Sequence, residues 1–520
     1  MKILLVAINS QFSHSNLAVW YLKREAESCG AEVEIFETNV NVQYHQILKE
    51  VLKREFDAIG FSTYIFNRGV VEKLCVDIKT ARENAFIFVG GGEVYYAPNG
   101  MENLCDAVLL GEGENSIREI ATGEIHKTEN PQIIKSSAVQ IKSLVSSGYY
   151  AQQNKILYYE SSRGCPFSCS YCLSGAGNTL KTLSENEVFA DLDAFAKMNL
   201  KLLKFVDRTF NARADRGVSI LKHIISLETE TCFHFEISPD LITKEFLEVV
   251  RSSKAGQFQF EIGIQSFNPQ TLSEVSRFTK PDNLIENIKA LIATKKANVH
   301  VDLIVGLPFE DIETFKNSFN TAYSLASQQL QVGFLKILPG TKMEGDASRY
   351  GMKYSKFPPY QIFENKWLSQ AEILALSDFE EGVEMFHNIR KFEKSLKLLL
   401  SHFATPFEMF EFLGGEIHGE NLPLQKKVEI LLGTLVKFED FDTSEAVVRF
   451  DYLRCCKDRK FKPPLKNTPD ESYAVRHQKN RVVQWFEVSP LTLEKTRVGI
   501  EFFHDKEDKV TGFFDFAVIE

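Results

Sequence analysis

The sequence predicts an α/β protein in three parts. An N-terminal doubly wound, Rossmann-like domain is followed by a partial (β/α)6 barrel and a C-terminal region that is mostly α with small β elements. Three observations predict this. Residues 1–125 alternate apolar runs of strand length with amphipathic helical segments, the pattern of a parallel sheet wrapped by helices. A second series of six βα units starts near Lys155, as in an incomplete β/α barrel. After Pro339-Gly340 the alternation stops. The expected divisions are a domain over 1–125, a connector over 126–154, a barrel over 155–345 and an extension over 346–520.

Lys2–Ile8 is a continuous apolar run and makes the first strand. Leu17–Ser28 has helical periodicity and stops before Gly30. Glu32–Phe36, Ala58–Ser62, Ala85–Val89 and Cys105–Leu110 supply further strands, with Val42–Lys53 and Val70–Arg82 as helices between them. A sheet of about five strands follows. Ligands of such sheets bind outside the carboxyl ends of the strands. The loops there are Asn9–Asn16, Ser62–Asn67, Gly90-Gly91-Gly92-Glu93 and Gly111-Glu112-Gly113-Glu114. Glycine lets backbone approach a flat or phosphorylated ligand closely. The competing reading is of tight turns in which an acid such as Glu114 opens the next helix. Two Gly/Glu turns on one sheet edge favour a ligand cleft.

The connector is polar and weakly patterned. Barrel strands are expected at Ile156–Ser161, Leu202–Val206, Cys232–Ile237, Phe258–Ile264, Val299–Val305 and Gln331–Leu338. Glu187–Lys197, Lys244–Arg251 and Ile312–Ala326 read as helices between them. In the extension, 361–437 reads as helical, with Phe392, Leu396, Leu399 and Phe403 at core-facing spacing. Residues 445–520 read as short strands, Val447–Leu453, Arg497–Phe503 and Gly512–Val518, among basic loops.

No window approaches the length of a transmembrane helix, and Met1–Asn9 lacks the features of a signal peptide. A cytoplasmic protein without a membrane span is therefore expected. The net charge of −10, without a basic tract, argues against nucleic acid as a partner.

Nine cysteines are too sparse for a disulfide scaffold. Three of them, Cys165, Cys169 and Cys172, fall within eight residues, in Arg163-Gly164-Cys165-Pro166-Phe167-Ser168-Cys169-Ser170-Tyr171-Cys172, just after the first barrel strand. Three thiolates in one loop can converge on a soft metal. A structural zinc wants a fourth ligand nearby, and a redox disulfide leaves one cysteine unexplained. An iron–sulfur cluster on three cysteines leaves one iron open. Cys29, Cys75, Cys105 and Cys232 sit in helix or strand patterns and are expected in the core. Cys455-Cys456, beside Lys457, Arg459 and Lys460, can be a reactive pair, since nearby cations activate thiols, or a structural one.

The C-x3-C-x2-C array with Tyr171 before its last cysteine resembles the signature of the radical S-adenosylmethionine (SAM) superfamily. The resemblance implies a [4Fe–4S] cluster on Cys165, Cys169 and Cys172 as the metal site. Its open iron would chelate S-adenosylmethionine for reductive cleavage to a 5′-deoxyadenosyl radical. By position, Tyr171, Asp207, Arg208, Glu236, Glu261, Gln265 and Gly306 would contact S-adenosylmethionine. Asp207 would pair with its ammonium and Arg208 with its carboxylate, against the alternative of a helix-capping Asp beside a surface Arg. Arg277 reads as a solvated helix end.

A doubly wound domain ahead of such a barrel resembles the cobalamin (B12)-binding class of this superfamily. The resemblance implies corrin contacts from Ser13, His14, Ser62, Tyr64, Gly91, Gly92, Glu93, Gly111, Gly113 and Glu114. The D-x-H-x-x-G cobalamin motif is absent, since Phe12 and Leu17 stand where its Asp and Gly would. His14 can therefore touch the corrin or phosphate, or cap the next helix. The tail from Pro358-Pro359-Tyr360 resembles an uncharacterised extension of some such proteins. The implied function is a cobalamin-dependent radical SAM enzyme, a transferase methylating an unactivated centre of an unknown substrate, small-molecule or other, with electrons from a flavodoxin- or ferredoxin-type donor. A radical rearrangement without methyl transfer and a non-catalytic cobalamin- or cluster-responsive regulator are the alternatives.

Overall fold

The structure is a computed structural model of the chain and describes every residue except 138, 153–154, 176–178, 199, 278, 280, 420–421, 458–464, 467–479 and 520. The chain forms two compact units, Met1–Ile237 with Lys336–Ile362, and Ser238–Leu335 with Phe363–Glu520.

The first unit opens with β1 (Lys2–Asn9), α1 (Leu17–Glu27), β2 (Glu32–Asn39), α2 (Tyr44–Leu52), β3 (Ala58–Ser62), α3 (Arg68–Ala81), β4 (Phe86–Gly90), β5 (Ala107–Leu110), α4 (Glu114–Thr122) and β6 (Gln132–Lys135). The strands form one parallel sheet in the order β2-β1-β3-β4-β5-β6. The apolar run of β1 explains why both faces are covered. Leu4, Val6 and Ile8 enter one core with Ile47, Val51, Leu74 and Ile78, whereas Ile3, Leu5 and Ala7 enter another with Val19, Ile117 and Ile120.

The sixth strand corrects the expectation of about five. It lies at the sheet edge inside the weakly patterned connector, and Ile133 is half exposed. An edge strand with one neighbour needs little apolar sequence, so periodicity did not reveal it.

The same unit continues with β7 (Leu157–Tyr159), the hairpin β8 (Ser162–Gly164) and β9 (Leu180–Thr182), α5 (Glu185–Met198), β10 (Leu202–Phe205), α6 (Ala214–Ser226) and β11 (Cys232–Ile237). Strand β10 pairs in parallel with β7 on one side and β11 on the other.

The second unit carries α7 (Lys244–Ser252), β12 (Phe258–Gln265), α8 (Pro269–Glu274), α9 (Pro281–Ile292), β13 (Ala297–Val305), α10 (Ile312–Ser324) and β14 (Gln329–Phe334). Its strands run parallel in the order β12-β13-β14. Burial alternates along β12 and β13. Phe258, Phe260, Ile262 and Ile264 are buried, while Gln259, Glu261 and Gln265 alternate with them on the opposite face.

Helices Gln370–Gly382, Glu393–Leu400, Pro406–Gly415 and Leu424–Leu435 follow, as the helical reading of 361–437 expected. Val447–Leu453 is not a strand; it lies within a helix, Phe441–Cys455. Asp440 caps that helix, accepting from Thr443 N at 3.1 Å, and every residue from Thr443 to Leu453 is buried. A helix buried all round shows no amphipathic stripe, so its β-branched and aromatic run imitates a strand. A strand not expected from the sequence, Arg481–Phe486, pairs antiparallel with Val498–Glu507, which pairs with Phe514–Ile519.

Among the expected core cysteines, Cys75 and Cys105 are buried, but Cys29 and Cys232 are only half-buried. Cys455 Sγ lies 3.8 Å from Cys456 Sγ. That bond, with burial, pushes the Cys455 thiol up, the opposite of activation; Arg459 and Lys460 lie outside the described residues. No described helix is long and apolar enough to cross a membrane.

Candidate cofactor site

The carboxyl ends of β1, β3, β4 and β5 open onto a cavity of about 790 Å3 within the first unit. His14, Ser62, Tyr64, Gly91, Gly92, Glu93, Gly111, Gly113 and Glu114 all line it. Ser13 does not; its carbonyl accepts from Ile156 N at 2.6 Å and ties the β1 loop to the start of β7.

The cavity walls suit a flat, amide-rimmed macrocycle. Gly91 has φ +109°, and a Cβ there would meet Thr63 O at 2.6 Å. Only glycine fits so extended a left-handed conformation. Tyr64 and Phe66 stack at 5.5 Å, and Tyr95 and Tyr96 complete an aromatic wall beside polar groups from His14, Ser15 and Ser62. Broad ring surfaces beside a few convergent polar groups are what such a ligand requires.

His14 Nδ1 lies 2.6 Å from the Tyr158 hydroxyl. Burial, with Lys204 and Lys155 nearby, holds its pKa below the usual histidine value, so the imidazole is neutral. Helix α1 is capped by Asn16, which accepts from Val19 N at 3.3 Å, and not by His14.

The cysteine loop borders the same cavity through Gly164, Leu173 and Ser174. Gly164 has φ +92°, and a Cβ would lie 1.9 Å from Thr179 O, so only glycine lets the β8–β9 hairpin close immediately before Cys165. Cys165 is buried, with Sγ 3.6 Å from Thr209 Oγ1. Cys169 and Cys172 are half-buried, and Cys172 N donates to Cys169 O at 3.1 Å. Three soft donors on one partly open loop fit an iron–sulfur cluster that leaves one iron free.

Several acids expected to meet ligands are already engaged. Asp207 is fully buried and accepts from Ser161 N at 2.8 Å, Ser161 Oγ at 2.6 Å, Ser162 N at 3.0 Å and Ser162 Oγ at 2.7 Å. Burial raises its pKa against those bonds. It braces the chain ahead of the cysteines and caps no helix. Glu93 accepts from Arg68 Nη1 at 2.7 Å. Glu114 accepts from Arg163 Nη1 at 2.7 Å, and it also opens α4, as the competing reading had it.

Arg208 is half exposed, lines the cavity and lies 3.8 Å from Glu236 Oε1. Tyr171 is half-buried on the cysteine loop.

In the second unit, single ligand atoms of Glu261, His300 and Asp302 lie within 4.8 Å of one another. His300 Nε2 is 3.1 Å from Asp302 Oδ1, and burial pushes the Asp302 carboxyl up. Gln265 sits at φ +73° where the β12–β13 register slips, and its Oε1 is buried with no hydrogen-bond partner among the described residues. Gly306 has φ +93°, and its carbonyl accepts from Asn365 Nδ2 at 2.9 Å. Arg277 is no solvated helix end; it is half-buried and donates from Nη2 to Gly263 O.

Sequence reasoning passed over Arg163, Arg68, Tyr158 and Glu310. Arg163 stood inside the cysteine motif, which was a usable signal. Arg68, at a helix start, looked like a surface charge, and nothing local marked Tyr158 or Glu310.

Comparisons with known proteins agree with this geometry. The B12 binding domain family matches residues 3–121, the radical SAM superfamily residues 159–322, and a family described only as a protein of unknown function, DUF4080, residues 348–498. An uncharacterized methyltransferase of Pyrococcus horikoshii is 23% identical over 337 residues, 58% of this chain and 72% of its own. The cobalamin-dependent radical SAM methyltransferase TokK of Streptomyces tokunonensis is 19% identical over 340 residues; this chain covers 58% of itself in that match and half of TokK. Among solved structures, TsrM from Kitasatospora setae, a radical SAM methyltransferase with cobalamin and a [4Fe–4S] cluster bound, matches with TM-score 0.56 at 16% identity, over 71% of this chain and 82% of its own. The cobalamin-dependent S-adenosylmethionine radical enzyme OxsB matches with TM-score 0.59 at 14% identity, over 85% and 79%. These likenesses show the fold: a Rossmann-like B12 domain, a radical SAM barrel and a further region.

Proposed function

We propose that this protein, a cobalamin-binding radical SAM enzyme with cobalamin, S-adenosylmethionine and a [4Fe–4S] cluster as cofactors, is a methyltransferase acting on an unactivated carbon centre. One observation carries the reading: loops at four strand ends, two of them Gly/Glu turns, and the residues flanking the cluster cysteines line a single cavity. When bound, the cluster and S-adenosylmethionine supply hydrogen-abstracting chemistry, and cobalamin supplies a transferable methyl group.

The chain binds and orients these groups. Cys165, Cys169 and Cys172 hold the cluster, and Gly91 and Gly92 admit the corrin. Arg208, which lines the cavity, offers a cation to a polar ligand. The Tyr64–Phe66 stack and Tyr95–Tyr96 keep water from one side of the cavity. Neutral His14, tethered to Tyr158, contacts the corrin or its phosphate. Electrons arrive from a small flavodoxin- or ferredoxin-type carrier at the exposed Pro166–Ser168 loop. The enzyme works in the cytoplasm, where thiol ligands stay reduced.

The test is anaerobic reconstitution with dithionite as reductant. Wild-type protein is expected to hold about four irons and to yield 5′-deoxyadenosine and S-adenosylhomocysteine; Cys169→Ala loses the iron and the 5′-deoxyadenosine. An undiminished yield in that variant sinks the assignment. Production of 5′-deoxyadenosine without S-adenosylhomocysteine would replace methyl transfer by rearrangement.

A further inference from the structure

The family of unknown function matched over 348–498 begins inside the first unit, because Lys336–Ile362 belongs with the B12 domain. Three contacts hold this segment there. Leu338 and Pro339 line the cavity. Gly340, at φ +82°, lies so close to Tyr96 that a Cβ would come within 2.7 Å of the Tyr96 Cβ. Tyr360 is 5% exposed and donates its hydroxyl to Glu93 Oε1.

That oxygen also receives Arg68 Nη1 at 2.7 Å and Asn99 Nδ2 at 3.0 Å. Both donors also reach the Tyr360 hydroxyl, at 3.0 Å and 3.2 Å. The Glu93 side chain is 1% exposed, so its position is dictated by these partners rather than by water. Glu93 directly follows Gly91 and Gly92, and its backbone N donates to Thr63 O at 3.1 Å. The carboxylate therefore anchors the turn that faces the corrin site.

We propose that Tyr360 is a positioning residue of the corrin site, so that the leading segment of the unknown-function region is a working part of the cobalamin cradle. The hydroxyl holds Glu93, and through it the Gly90–Gly92 turn, in the conformation that accepts the macrocycle. This rests on the reading of the cavity as a cobalamin site.

The test titrates full-length, corrin-free protein with hydroxocobalamin and follows its absorption spectrum. Wild type is expected to bind saturably. Tyr360→Phe weakens binding about tenfold, the worth of one charge-assisted hydrogen bond. Glu93→Gln weakens it as well, and the double variant binds no worse than the weaker single variant, because the hydroxyl acts through the carboxylate. Wild-type affinity in Tyr360→Phe, or losses that add in the double variant, overturns the proposal. Where Tyr360→Phe fails to fold, Glu93→Gln alone decides: wild-type affinity overturns the proposal, a loss supports it. A wild-type protein that takes up no corrin overturns the cobalamin reading itself, and this inference with it.

Discussion

Arg163 Nη1 lies 2.7 Å from Glu114 Oε1, while its Nε and Nη2 hold the two oxygens of Glu160 at 2.9 and 2.7 Å. One guanidinium, two residues ahead of Cys165, thus bonds both Glu160, which directly follows β7, and the Gly/Glu turn after β5. Glu112 lies 3.5 Å from the same guanidinium and 2.7 Å from Lys181 Nζ. Charge pairing, rather than apolar packing alone, ties the cysteine loop to the Gly/Glu turn after β5.

Removing Arg163 leaves Glu114 and Glu160 without their cation. Arg163→Ala is expected to cost about 3 kcal/mol, in the range found when one partner of a buried pair is deleted. Thermal melting of the corrin-free protein measures it. Arg163→Lys should recover less than half of the loss, because an ammonium cannot fork onto Glu160 and reach Glu114 together. Full recovery by lysine would show that charge alone suffices.

Gly91 has no room for a side chain. Gly91→Ala is expected to displace the β4 turn from Thr63, with strain of about 1–3 kcal/mol, and to weaken hydroxocobalamin binding at least tenfold. Iron content after reconstitution should stay at the wild-type value, since the Gly90–Gly92 turn carries none of the three cysteines. Unchanged corrin affinity would place the ligand elsewhere.

Glu310 is fully buried, and its Oε1 accepts from Ser266 Oγ at 2.5 Å and Ser318 Oγ at 3.1 Å. Burial pushes its pKa from 4.5 up to about 7. Folding therefore favours the protonated acid, and the native chain binds more protons than the unfolded one between those values. Its contribution is fully present below pH 4.5 and is lost as pH rises to about 7, a change of about 3 kcal/mol. Glu310→Gln should remove this part of the pH dependence. Its melting midpoint relative to wild type should rise between pH 5 and 7, and a pH-independent difference would refute the assignment.

The sequence by itself determined what depends on neighbours along the chain. The strands and helices of the doubly wound domain follow from hydrophobic period, as in β1, whose alternate residues feed two cores. The three-cysteine array is legible from its spacing within one loop. Two of the loops that line the cavity, those after β4 and β5, follow from glycine at strand ends.

Tertiary structure decided the rest. The polar side chains of Asp207, Glu93 and Glu114 carry no record of their partners, and Ser161, Tyr360 and Arg163 reach them from distant segments. The sixth strand is a strand because β5 offers it an edge, and the stretch Thr443–Leu453 is helical and buried on every side. Backbone periodicity is a local property, whereas the pairing of a buried charge is settled only when the chain brings its partner to it.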